Sequence, residues 1–184
     1  MKQVPCDDPD IKAYTVDAYP ADCVRFAMEG METSFDFVIS GINRGLNIGI
    51  DVLYSGTLGA VFEAASFGVP AVALSTKSGG FKEAIEALDE IKDFFIRHEL
   101  MKKNSSYNIN IPIHHKGIRI TRMGGRYYTE GFLSQGNDMY ILTYEETQPN
   151  SDDNSIDINA TMSGYISVTP LTLDRTNRPV FEEL

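Results

Sequence analysis

The segment between residues 40 and 57 carries the residue types from which a phosphate site can be built. It reads Ser40-Gly-Ile-Asn-Arg-Gly-Leu-Asn-Ile-Gly and, four residues later, Tyr54-Ser-Gly-Thr. Glycines let a backbone approach a ligand closely, and the amide oxygens of Asn43 and Asn47 suit a hard cation such as Mg²⁺ or Mn²⁺. These residue types therefore indicate a phosphate group held next to a divalent metal ion.

The second half of this segment is expected to begin a helix. Unpaired backbone N–H groups and the helix dipole at Ser55, Gly56 and Thr57 would then favour an anion. Arg44 offers either a bidentate contact to phosphate or a surface ion pair. The spacing alone leaves open a simpler interpretation, in which the segment is a long connection whose asparagines satisfy its turns. It is neither a Walker loop nor a dinucleotide fingerprint.

Strand and helix patterns alternate around this segment. Strands are predicted at residues 13–17, 35–40, 71–75, 107–111 and 117–122, and helices from Pro20 to about residue 31, over 57–67 with an end at Gly68, and over 81–101. The strand at 35–40 is nearly all apolar, which predicts burial on both faces. Residues 1–12 are predicted to be a loop. This order is typical of an α/β fold with a mostly parallel sheet flanked by helices, in which ligands bind beyond the carboxyl ends of the strands.

The pattern changes after residue 122. Segments 126–134 and 138–144 alternate aromatic with polar residues around Gly136-Asn137, which predicts an antiparallel hairpin. An acidic, turn-rich stretch over 148–157 and a last strand over 165–169 follow. Because an isolated hairpin is too small to be stable alone, we expect one α/β domain over residues 1–184, with residues 123–160 as an arm that mediates self-association.

The composition excludes several classes of protein. The chain has 26 acidic and 16 basic side chains and a net charge of −10, which argues against binding polymeric nucleic acid or an anionic membrane. Two cysteines make no disulfide framework, and the apolar run at 67–74 is too short to span a bilayer. We therefore expect a cytoplasmic protein. The charge still permits a small anionic ligand, provided that a local pocket overrides the global field.

Several segments together carry a family resemblance. The run FDFVISGINRGLNIGIDVLYSGTLGAVFEAASFGVPAVALS resembles the signature of the SurE family, the survival-protein 5′-nucleotidases. The segment VDAYPADCV is similar to the family's VDGTPxDCV, and NINIP, KGIRITR and GYISVTPL fall in the family's order. The resemblance covers nearly the whole chain.

The resemblance implies a fold, an activity and a set of site residues. The fold would be Rossmann-like, with a C-terminal β-hairpin arm commonly exchanged within a dimer, hence a homodimer or homotetramer. The activity would be Mg²⁺- or Mn²⁺-dependent hydrolysis of nucleoside 5′-monophosphates, with 3′-monophosphates as a second class, to nucleoside and phosphate. Asn43 matches the family's asparagine metal ligand, whereas Asn47 and the Ser55-Gly56-Thr57 turn match positions that line the phosphate pocket.

The sequence departs from the family pattern at its start. That pattern opens with an apolar strand ending in Asn-Asp-Asp-Gly, whose aspartates are the main metal ligands, and we expect this chain to begin downstream of it. Asp7 and Asp8 are followed by Pro9 and interpreted as a solvated pair. No catalytic residue is therefore assigned, and we expect this chain alone to be inactive, with exposed apolar strand surface and an unpaired edge. The alternative is a non-catalytic remnant that binds a phosphate ligand or only oligomerises.

A smaller departure lies before Pro20. Tyr19 stands where the family usually has a threonine, which would cap the helix that Pro20 begins. If this turn borders the pocket, the bulky ring is expected to alter the preference for the nucleobase.

Overall fold

The computed structural model describes residues 1–147 and 151–184, with the backbone alone at Glu130. In chain order its strands are β1 (Lys2–Val4), β2 (Ala13–Thr15), β3 (Val38–Arg44), β4 (Ala71–Thr76), β5 (Ser106–Ile111), β6 (Ile118–Ile120), β7 (Tyr128–Gly136), β8 (Met139–Glu146) and β9 (Ile166–Pro170). The helices are α1 (Pro20–Gly30), α2 (Gly56–Ser66), α3 (Phe81–Glu86), α4 (Leu88–Arg97), α5 (Leu100–Lys103), α6 (Asp157–Met162) and α7 (Arg178–Glu183), and a 3₁₀ helix covers Gly49–Tyr54. No helix of these described ranges is long and apolar enough to cross a membrane.

The centre of the fold is a five-stranded sheet in the order β3-β4-β5-β9-β6. The β3–β4, β4–β5 and β6–β9 pairs are parallel, and β5 pairs with β9 in the antiparallel direction. Helix α2 connects β3 to β4, and α3, α4 and α5 connect β4 to β5. The predicted α/β fold with a mostly parallel, helix-flanked sheet is confirmed.

Both faces of the central strand β4 are covered by apolar side chains. On one face, Ala71 and Ala73 of β4 pack in a cluster with the helical residues Leu58, Val61 and Ala64. On the other face, Val72 and Leu74 belong to a cluster with side chains of α3, α4, β5 and β9, namely Ala84, Ile91, Ile109 and Val168. The alternating residues of β4 thus point into two cores, which explains why the whole strand is buried.

Strand β3 differs from its prediction. It begins at Val38 rather than at residue 35, and its side chains are not buried on both faces, since Ile39 is 62% exposed. Within the described part of the chain β3 pairs only with β4, so it is an edge strand. An apolar groove of about 570 Å³, lined by Phe37, Ile39 and side chains of α4, lies beside it. The open edge and the exposed apolar surface agree with the expectation from the sequence.

Three other elements also differ from the sequence prediction. Residues 2–4 form β1, which pairs antiparallel with β2, although a loop is predicted there. The predicted helix over 81–101 is divided into α3, α4 and α5, with a break at Ala87 and a second at Glu99, whose left-handed conformation with a φ of 49° separates α4 from α5. Helix α6 begins inside the stretch expected to be turns, whose residues 148–150 lie outside the described ranges.

The predicted hairpin is present as β7 and β8, with Phe132 opposite Leu142. Its turn consists of Asn137 and Asp138, whose φ angles of 51° and 59° are those of a type I′ turn. This turn matches the right-handed twist of the two strands.

Candidate functional site

The end of β3 brings the first candidate residues to the carboxyl edge of the sheet. The strand continues through Arg44, and Asn43 and Arg44 lie opposite Ser75 and Thr76 of β4. This continuation depends on Gly41, which has a φ of 124°, and a Cβ atom there would lie 2.3 Å from the carbonyl oxygen of Leu74. Only glycine fits so close to the neighbouring strand.

Asn43 and Arg44 are held differently at this edge. Asn43 is half-buried, and its Nδ2 donates to the carbonyl oxygen of Gly45 at 2.9 Å, which leaves its Oδ1 as the atom for a ligand. Arg44 is exposed, with its guanidinium carbon 5.8 Å from the centre of the Phe81 ring. The ion pairs found between described residues do not include Arg44. Its donors can therefore serve an anion.

Asn47 lies inside the protein, in a cluster of polar side chains. Its backbone N–H donates to Asn110 Oδ1 at 2.7 Å, and its carbonyl oxygen accepts from the Nδ2 atoms of Asn108 and Asn110 at 2.6 and 2.9 Å. Its own Nδ2 donates to Ser75 Oγ at 2.6 Å, and only 8% of the residue is exposed. These contacts fix the backbone of the loop behind the proposed pocket.

Asn108 and Asn110 belong to this cluster, although no site role is predicted for them from the sequence. Both are fully buried in β5, where an asparagine needs hydrogen-bond partners. Their spacing of two places them on one face of the strand, and this is the signal from which a polar cluster could have been predicted. Asn108 Oδ1 is buried without a hydrogen-bond partner among the described residues. A water molecule is the usual partner for such an atom.

Two helices begin side by side next to this loop. Ser55 is the N-cap of α2, and its Oγ accepts from the Leu58 N–H at 3.2 Å. A Cβ atom on Gly56 would lie 3.1 Å from Cγ of Pro20, the first residue of α1, so the two N-termini are in contact. The N–H groups of Gly56 and Thr57 belong to the first turn of α2 and have no partner within the helix. Two positive helix ends at one place favour an anion.

Two aspartates attach the same loop to the C-terminal part of the chain. Asp157 is fully buried and accepts from the Gly49 N–H at 2.8 Å, and its burial raises the pKa of the carboxyl above its usual value. Asp51 accepts from the N–H groups of Tyr127 and Tyr128 at 2.9 and 3.0 Å. The carboxylate of Asp51 is thus engaged by the start of the hairpin. Its direction could not be predicted from the sequence.

The described residues do not complete a site for a divalent metal ion. Nowhere in residues 1–147 and 151–184 do three His, Cys, Asp or Glu side chains lie close enough to hold an ion. Asp7 and Asp8 are exposed, and Asp8 Oδ1 accepts from the Asp10 N–H at 2.9 Å. Mg²⁺ and Mn²⁺ prefer carboxylates among their oxygen ligands, so the single amide oxygen of Asn43 does not fit such an ion by itself.

Comparison with known proteins places this arrangement in a family. A family model described as survival protein SurE matches residues 2–130. The 5′-nucleotidase SurE of Caldanaerobacter subterraneus subsp. tengcongensis is 36% identical over 97% of this chain and 73% of its own length. The 5′-nucleotidase SurE of Desulforamulus reducens is 39% identical over 90% of this chain and 69% of its own.

A solved structure agrees with these relatives. The crystal structure of the SurE protein from Aquifex aeolicus has a TM-score of 0.77 and 31% sequence identity to this chain. The match covers all of this chain and 79% of the Aquifex aeolicus chain. The chain therefore belongs to the SurE family of survival proteins, an enzyme family whose relatives matched here are named 5′-nucleotidases.

Proposed function

We propose that the chain carries the phosphate-binding part of a phosphomonoesterase that hydrolyses nucleoside 5′-monophosphates, and also 3′-monophosphates, to nucleoside and phosphate. One observation supports this most directly. The first turns of α1 and α2 are in contact, and the loop that leads into α2 begins at the carboxyl end of β3, where Asn43 and Arg44 lie opposite Ser75 and Thr76 of the parallel strand β4. Such an edge is where α/β folds bind their ligands, and the curated relatives are named for this activity.

Each residue of this edge has a defined part in binding. The N–H groups of Gly56 and Thr57 donate to the phosphate oxygens, as N–H groups at a helix start do. The hydroxyl proton of Ser55 remains available, because its Oγ acts as the acceptor in the helix cap. The guanidinium of Arg44 adds a charged donor. Asn47 shapes the loop from behind, through its bonds to Asn110 and Ser75.

The metal ion is a separate part of the proposal. The family implies Mg²⁺ or Mn²⁺, and Asn43 is the residue of this chain that we propose as a ligand. Because one amide does not fit the ion alone, we derive no chemical step through it. We propose instead that this chain by itself binds a nucleoside monophosphate and does not turn it over.

Binding and turnover of AMP by the purified chain test this proposal together. We expect AMP to bind with no release of phosphate in Mg²⁺, Mn²⁺ or chelator. Arg44→Ala should weaken AMP binding by tenfold or more, because a hydrogen bond to a charged group contributes roughly 1.5–3 kcal/mol. Arg97→Ala, an exposed arginine on α4, is the matched control and should leave binding unchanged.

Two results would contradict the proposal in different parts. Absence of AMP binding would contradict the phosphate site, and equal binding in the two arginine variants would contradict the role of Arg44 in it. Metal-dependent turnover that is lost in Asn43→Ala would instead support the enzyme and contradict the inactivity of this chain, since carboxylates within it would then hold the ion.

A second candidate function is a non-catalytic protein that binds a phosphate ligand or only oligomerises. The missing group of three metal-binding side chains in the described residues favours it. The reading frame upstream of Met1 separates the candidates. A frame that encodes an apolar strand ending in Asn-Asp-Asp-Gly would favour the enzyme, and a frame without one would favour the binding protein.

We also propose that residues 123–160 form an arm of a single domain over residues 1–184 and join copies of the chain into a homodimer or homotetramer. Every residue of β8 is exposed, and the large apolar side chains of the hairpin are exposed on both of its faces, including Phe132, Leu133, Tyr140 and Ile141. Exposed apolar surface of this extent is typical of a protein interface. The compartment that we propose is the cytoplasm.

A further inference from the structure

We propose that Asp51 and Asp157 are positioning residues that fasten the 45–57 loop to the hairpin root, defined as residues 124–128, so that ligand binding at the loop also orders the root. The proposal rests on the proposed function only for the identity of the ligand. The fastening itself is an arrangement of described residues and can be tested without a ligand.

Asp157 joins three backbone segments that are far apart in the sequence. Its Oδ2 accepts from the Gly49 N–H at 2.8 Å, and its Oδ1 accepts from the N–H groups of Gly124 and Ile158, each at 2.8 Å. The residue is fully buried at the start of α6. Loss of this carboxylate would leave backbone donors unpaired away from water, which is more costly than losing an exposed bond. Asp157 therefore fixes the loop, the root and α6 relative to one another.

A direct contact between two backbones strengthens this junction. The Ile50 N–H donates to the carbonyl oxygen of Gly125 at 2.9 Å. Gly49 has a φ of 60°, and a Cβ atom on it would lie 2.0 Å from the same oxygen, so only glycine permits this approach. Leu46 and Ile48 of the loop pack in one apolar cluster with Tyr127 and Ile158. The loop and the root thus share a small core.

Asp51 fastens the loop to the first strand of the hairpin. Its Oδ2 accepts from the N–H groups of Tyr127 and Tyr128 at 2.9 and 3.0 Å, and Tyr128 begins β7. These contacts join residues 76 and 77 positions apart. Beside Tyr128, Glu146 at the end of β8 forms an ion pair with Lys77 at 3.1 Å, which is partly exposed and therefore weak. Asp51 thus carries the main polar contact between loop and hairpin.

Asp51 lies close in the sequence to the groups that would bind phosphate. Asp51 lies within the 3₁₀ helix Gly49–Tyr54, and Ser55 and the start of α2 follow it directly. A ligand that immobilises Ser55 and Gly56 therefore also restricts Asp51. Because Asp51 holds the Tyr127 and Tyr128 amides, that restriction reaches the root. Ordering shared in this way couples two sites without a change of structure.

Amide hydrogen exchange with AMP and Mg²⁺ as the probe tests the coupling. In the wild-type chain, saturating AMP should slow exchange in the loop and also, about fivefold or more, at Tyr127 and Tyr128. In Asp51→Ala the slowing in the loop should remain while the slowing at the root disappears. Asp51→Asn keeps one acceptor oxygen, so part of the slowing at the root should return in this variant. Asp36→Ala, an exposed aspartate before β3, is the matched control and should behave as wild type.

A measurement without ligand covers the case in which AMP does not bind. Asp51→Ala and Asp157→Asn should each speed exchange about tenfold in both the loop and the root, while amides of the central strand β5 keep their protection. Asp157→Asn is used because an alanine there would leave a buried cavity as well. Faster exchange in the root alone would overturn the fastening. Slowing at the root by AMP that is equal in wild type and Asp51→Ala would overturn the role of Asp51.

The proposed function fails independently of this inference. If AMP slows exchange nowhere and does not bind, the phosphate site is wrong, and the ligand-free exchange still decides whether the aspartates fasten the loop. If AMP binds and slows exchange only in the loop of the wild-type chain, the site stands and the coupling is wrong.

Discussion

At the scale of single residues, the site depends on polar groups that are buried rather than exposed. Asn108 and Asn110 both donate to the carbonyl oxygen of Asn47, and Asp157 accepts from the backbone N–H groups of Gly49 and Gly124. Buried polar groups of this kind stabilise one geometry because any other leaves them unpaired. Several of the residues predicted from the motif lie on the loop whose backbone these buried groups hold in place.

The buried carboxyl of Asp157 should make stability depend on pH. Burial raises the pKa of Asp157 in the folded state above its usual value, so the folded chain takes up a proton at this group before the unfolded chain does. Its contribution to the free energy of unfolding therefore rises as pH falls through the folded pKa, and is complete below the unfolded pKa.

We expect the stability difference between wild type and Asp157→Asn to shift in favour of wild type as pH is lowered from about 7 to about 4. Urea unfolding of both proteins at several pH values measures this, and other titrating groups cancel in the difference. A difference that is constant or changes in the opposite direction would show that the backbone donors, not burial, decide the pKa of Asp157.

At the scale of elements, the start of α1 lacks the cap that its sequence position would allow. The N-cap residue is Tyr19, whose side chain makes no capping hydrogen bond and is 79% exposed. Only the reverse contact is present, in which Asp22 Oδ2 accepts from the Tyr19 N–H at 3.1 Å. Since α1 begins against Gly56, a looser first turn of α1 also affects the start of α2.

Tyr19→Thr should therefore stabilise the chain by about 1 kcal/mol, because a threonine side chain can accept from the first turn of the helix. Urea unfolding measures the gain. Tyr19→Ala removes the ring without supplying a cap and should leave stability nearly unchanged. Equal effects of threonine and alanine would show that removal of the exposed ring, and not capping, is responsible.

At the scale of the whole molecule, the hairpin is an extension whose apolar side chains are exposed in a single chain. Phe132 and Leu142 face each other across the two strands, and they are 74% and 46% exposed. Burying one such side chain contributes roughly 1.5–3 kcal/mol, so several of them give a second copy of the chain enough to bind.

Sedimentation at micromolar concentration should show the wild-type chain as a dimer or tetramer. Phe132→Ser should weaken the association at least tenfold without changing the far-ultraviolet circular dichroism, whereas Ser134→Ala, an exposed change on the same strand, should have no effect. A wild-type chain that sediments as a monomer would contradict the proposal that residues 123–160 join copies of the chain.

The sequence alone determined the features that arise from local patterns. The helices beginning at Pro20 and Gly56, the buried strand β4, the hairpin and the motif from Asn43 to Thr57 could all be predicted. Each depends on neighbouring residues, through hydrophobic period, turn chemistry or helix-start signals. The family was identified from the same linear motifs and is confirmed by the comparisons.

Tertiary structure decided what depends on residues far apart in the chain. An apolar run cannot show whether a strand is central or at an edge, so β3 was wrongly predicted to be buried on both faces. The direction of the Asp51 carboxylate is set by amides 76 and 77 residues away, and the role of Asp157 by a glycine 108 residues away. Such contacts form only when the chain has folded, because the partners are brought together by packing and not by their spacing in the sequence.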